Sequence, residues 1–89
     1  MILHLCKDNQ QVQLEALTLF ESSKNYTCYN YAAAEVTDGA TGEVHKFMSA
    51  VPDNLVNLQG LEVSAVDVMF DPSERDEVVF CLRAMERVR

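Results

Sequence analysis

The chain has 89 residues, 48% of them hydrophobic and 24% charged, which allows one compact domain with one core and excludes a disordered tail. Its formal net charge is −7, and between Asp8 and Glu74 eleven acidic residues face only Lys24 and Lys46. A body that negative repels nucleic-acid phosphates and anionic lipid heads, which argues against direct nucleic-acid or membrane binding and favours a basic protein partner.

Ile2 to Cys6 is apolar on both faces and predicts a short strand inside a sheet. Asp8-Asn-Gln-Gln11 then has the form of a capping box, with Asp8 as N-cap and Gln11 reaching back. Behind it Val12, Ala16, Leu19 and Phe20 fall on one helical stripe. Gln11 to Ala16 also alternates as a strand would, so residues 9–23 fit a helix or a strand. In the helical case Leu14 and Leu17 lie off the stripe, with Glu21 continuing their row. Such an apolar pair on a polar face points to contact with another protein or subunit.

Tyr26 to Val36 and Glu43 to Val51 form an extended pair around the turn Thr37-Asp38-Gly39-Ala40-Thr41-Gly42, and predict an antiparallel hairpin. Tyr29 and Tyr31 share one face of the first strand and Tyr26 points with Cys28 to the other. A tyrosine cluster suits a protein interface, and it also suits a half-buried strand. Pro52 to Leu58 predicts a short helical turn, and Leu61 to Phe70 another strand, interrupted by Asp67. Asp71-Pro72-Ser73-Glu74 then opens a helix running to the C-terminus, acidic first and basic last in agreement with its dipole.

These elements predict an α+β domain over residues 1–89, with a small antiparallel sheet of about four strands and two helices. The order resembles the βαββαβ order of ferredoxin-like folds with a C-terminal helix added.

The chemistry-bearing residues do not form a familiar constellation. His4, Cys6, Cys28, His45 and Cys81 lack the close ligand pairs of a zinc site. No serine sits in a nucleophile elbow, and the three glycines make no phosphate-binding loop. Asp67 fits an inward charge at a strand edge, and acid–base work there would need a second group that sequence does not place. No catalytic, cofactor-binding or metal-binding residue is therefore assigned. Three scattered cysteines, the absence of a signal-peptide pattern and the absence of a long apolar run predict a cytoplasmic setting.

The expected function is a non-catalytic protein-binding module of adaptor or inhibitor type, of bacterial or phage kind. Its candidate contacts are Leu14, Leu17, Glu21, Tyr29 and Tyr31, and self-association is compatible with it. Two alternatives stand beside it. One is mimicry of nucleic acid against a nucleic-acid-processing protein. The other is a small enzyme or ligand-binding subunit whose site lies between chains of a homo-oligomer.

Overall fold

The computed structural model of the chain describes residues 1–58, 61–71, 83 and 86. The elements in chain order are β1 (Ile2–Cys6), α1 (Asn9–Glu21), β2 (Tyr26–Asn30), β3 (Glu35–Asp38), β4 (Val44–Ser49), a 3-10 helix (Pro52–Leu58) and β5 (Ala65–Val68). The strands form one sheet in the order β2-β3-β4-β1-β5. β1 pairs in parallel with both β4 and β5, whereas β3 is antiparallel to β2 and β4.

This mixed five-stranded sheet overturns the expected four-stranded antiparallel, ferredoxin-like arrangement, and of the two expected helices α1 is the one that falls among the described residues. Two local events account for the difference. Tyr26 to Val36 is not one strand, because the chain turns at Tyr31–Ala34 and splits it into β2 and β3. The Asn30 side chain accepts from the Ala33 N–H at 3.1 Å, and Ala34 takes a positive φ of 52°. Such a turn is more usual for asparagine or glycine than for alanine. The second event is a crossover. β4 leads through the 3-10 helix to β5, which lies on the far side of β1 and runs the same way. A parallel neighbour needs a connection that passes over the sheet, not a tight turn. The expected helix beyond Asp71 lies outside the described residues.

β1 is thus interior, as its two apolar faces require. On one face Leu3 and Leu5 pack with Met48, Ala50, Leu58 and Val63. On the other, Cys6, Val36 and Phe47 meet Val12 and Ala16 of α1. Within the expected strand Leu61 to Phe70, Val63 and Met69 join opposite cores.

Residues 9–21 are helical, and the capping signal explains where the helix starts. Asp8 Oδ1 accepts from the Gln11 N–H at 2.8 Å. Gln11 reaches back one residue further than a capping box predicts, with its Oε1 accepting from the Lys7 N–H at 2.7 Å. Its Nε2 donates to the Met69 carbonyl at 2.8 Å, tying the helix start to the end of β5. The β3–β4 turn closes on Gly42, whose φ of 75° suits glycine.

Candidate functional site

Three features of the surface carry chemistry, and each follows from how α1 lies on the sheet. The first is its outward face. With Val12 and Ala16 turned to the core, a rotation of about 100° per residue carries Leu14 and Leu17 outward. Leu14 is 63% exposed and Leu17 41%. Glu21, one turn beyond Leu17, is also exposed. The expected tyrosine pair divides. Tyr29 is half-buried, with its ring 5.5 Å from Phe20 and its hydroxyl 3.5 Å from Gln13 Oε1. Tyr31 has left the strand and is 68% exposed at the start of the turn, 6.4 Å from the Tyr29 ring. Tyr26 does not point with Cys28. A register shift between Tyr26 and Cys28 puts Tyr26 against the same core as Tyr29 and leaves Cys28 exposed.

The second feature brings together three residues that the sequence shows only separately. On the α1 side of the sheet, Asp67 of β5, His4 of β1 and His45 of β4 form a continuous row. Asp67 Oδ2 lies 3.0 Å from His4 Nδ1, and His4 Nε2 lies 2.9 Å from His45 Nδ1. An ionised carboxylate only accepts, so His4 Nδ1 donates to it. In neutral His4 that leaves Nε2 as acceptor, so His45 Nδ1 donates and His45 Nε2 keeps a bare lone pair. The His4 ring stacks on Phe47 at 4.5 Å and is only 12% exposed, which fixes its plane. The Tyr26 ring stands edge-on to His45 at 5.8 Å. Burial, followed by the neighbouring His4, lowers the His45 pKa below its ordinary 6.5, against the opposing pull of Glu43 and Asp38. Asp67 does sit on an edge strand, but its carboxylate is engaged with His4 as well as exposed.

A cleft of about 260 Å³ opens beside His4 and Asp67, walled by Leu19, Phe47 and Met69 and flanked by Glu15 of α1. Cys6 lies near it, fully buried in the α1-side core. Desolvation, then Glu15, Asp67 and Asp8, push its thiol up from 9.0 to about 12, so it stays protonated and unreactive. No group of three or more His, Cys, Asp or Glu side chains among the described residues is arranged to hold a metal ion.

The third feature is a larger cleft of about 410 Å³ at the end of β4, between the start of α1, the Tyr31–Ala34 turn and the 3-10 helix. Asn9, Gln13, Asn54 and Asn57 line it together with Ser49. In sequence these amides give no signal, because they come from two helices forty residues apart.

No protein family, curated protein or solved structure matches this chain. No helix among the described residues is long and apolar enough to cross a membrane.

Proposed function

We propose that this chain is a small protein-binding module that docks through the outward face of α1 onto a partner whose surface is apolar at the centre and basic around it. The observation that carries this reading is the exposure of Leu14 and Leu17 together on a helix whose opposite stripe fills the core. Leaving two leucines partly in water forgoes roughly half of the about 1.5–3 kcal/mol that full burial of each would give, and a partner surface recovers it. Glu21 at the edge of the pair and the net charge of −7 supply attraction toward a basic rim and faster encounter with it. Among the described residues Cys6 and Cys28 are free, the first buried and the second exposed, in keeping with a reducing, cytoplasmic setting.

The test is retention of a partner from the native host by the immobilised chain, compared between wild type and a Leu14→Lys/Leu17→Lys variant. The reading expects a stoichiometric protein retained by the first and lost by the second, with retention weakening as salt rises. Equal retention by both would refute it.

A second reading rests on the imidazole row. His45 Nε2 is an available base ordered by His4 and Asp67, and a second copy of the chain would have to complete a substrate site around it. Light scattering decides here, because a monomer at working concentration removes that site.

A further inference from the structure

β1 pairs with β4 from His45 to Ser49, but β3 pairs with it only from Val44 to Lys46. Phe47 to Ser49 therefore has a covered edge toward β1 and a largely open one toward β3. Three bonds partly close that open edge. The Phe47 N–H donates to the Ala34 carbonyl at 2.9 Å, and Asn54 Nδ2 donates to the carbonyl and hydroxyl oxygens of Ser49, each at 2.9 Å. Beyond them lies the cleft of about 410 Å³.

Its lining is unusual for this molecule. In a chain of net charge −7, no described residue lining this cleft is a carboxylate. Its one cation among the described residues, Lys46, is committed to the Ala33 carbonyl at 2.9 Å and to Glu35 at 3.7 Å. What remains is carboxamide. Asn54 is engaged with Ser49 and with Asn57 Nδ2, the latter at 3.0 Å. Asn9, Gln13 Nε2 and Asn57 Oδ1 keep hydrogen-bonding capacity. A carboxamide presents a planar donor–acceptor pair that matches a peptide group, and it offers little to a phosphate or a carboxylate. The cleft is also continuous with the docking face, since Gln13 lies one turn before Leu17 and Tyr31 immediately precedes lining residue Ala32.

We infer that the partner inserts an extended, uncharged stretch of main chain into this cleft, its peptide groups paired with Asn9, Gln13 and Asn57 and its side chains resting on Leu17 and Tyr31. This rests on the reading of α1 as the docking face and specifies what that face receives. Main-chain recognition supplies affinity with little dependence on sequence, while the flanking apolar contacts select the side chains.

The experiment uses the full chain with the exposed Ala32 replaced by the photo-cross-linker p-benzoylphenylalanine, together with a Gln13→Ala/Asn57→Ala variant. The inference expects irradiation of the complex to cross-link one contiguous partner segment, and a synthetic peptide of that segment to compete with the intact partner. The double variant should bind about tenfold more weakly, from the loss of two hydrogen bonds. If Leu14→Lys/Leu17→Lys abolishes binding while the carboxamide variant binds as wild type and no cleft cross-link forms, the docking face stands and this inference falls. If wild type retains no partner, both fall. If a low-mass compound raises the melting temperature of wild type but not of Gln13→Ala/Asn57→Ala, a small-molecule site replaces the peptide site.

Discussion

Cys6 gives the most quantitative consequence of the packing between β1 and α1. Burial in the folded chain pushes its thiol up from the ordinary 9.0 to about 12. A group whose folded pKa is raised contributes stability that is complete below the unfolded pKa and lost as pH rises through the folded one. Above pH 9 the unfolded state gives up this proton while the folded state holds it. Each pH unit between the two values removes about 1.4 kcal/mol, so the loss is on the order of 1 kcal/mol at pH 10 and grows as pH rises toward the folded value. Urea unfolding of wild type and Cys6→Ala at pH 8, 9 and 10 reads this directly, because every other titrating group is common to both. Cys6→Ala starts less stable at pH 8 through lost packing, yet it should lose less stability than wild type between pH 8 and pH 10, by on the order of 1 kcal/mol. In a Cys81→Ser background a thiol reagent should modify exposed Cys28 promptly and Cys6 only on unfolding. Parallel pH profiles for the two proteins, or equal labelling of Cys6 and Cys28 in the native state, would refute the argument.

The other predictions follow from the same packing. His45 has a lowered folded pKa, so its contribution is complete above pH 6.5 and is lost as pH falls; His45→Gln should flatten the acid limb of the urea-midpoint profile between pH 7.5 and pH 5. Leu5, fully buried on the interior strand, should cost about 2–5 kcal/mol when changed to Ala, whereas Leu14→Ala should stay within about 0.5 kcal/mol by the same urea measurement. Asp8→Ala removes the carboxylate oxygen that accepts from the Gln11 N–H and should cost about 1 kcal/mol of thermal or urea stability.

What could be read in the sequence was local. Asp8 and Gln11 announce the start of α1, and the stripe of Val12, Ala16, Leu19 and Phe20 fixes which face it buries. The same stripe leaves Leu14 and Leu17 outside. Gly42 marks the β3–β4 turn because its backbone conformation suits a residue without Cβ. The turn at Tyr31–Ala34 escaped notice because three alanines carry no turn chemistry; Asn30 was the available cue, with its side chain accepting from Ala33. The pairing of β1 with β4 and β5 was illegible for a different reason. Parallel partners far along the chain are chosen by which apolar faces fit together, and no local pattern records that choice. His4 and Asp67 were each visible as a polar residue on an otherwise apolar strand and His45 as a neighbour of Lys46, but separations of 41 and 63 positions hid the row they form.

The central claim is that the outward face of α1 is a binding surface, and a competition measurement tests it most directly. Wild type, Leu14→Lys/Leu17→Lys and a control Val51→Lys, which alters another exposed apolar residue, are compared for binding to the partner retained from the native host. The account predicts that the α1 variant loses binding by at least a hundredfold while its melting temperature and that of the control stay near wild type, and that Val51→Lys binds normally. Undiminished binding by a folded Leu14→Lys/Leu17→Lys protein would contradict it.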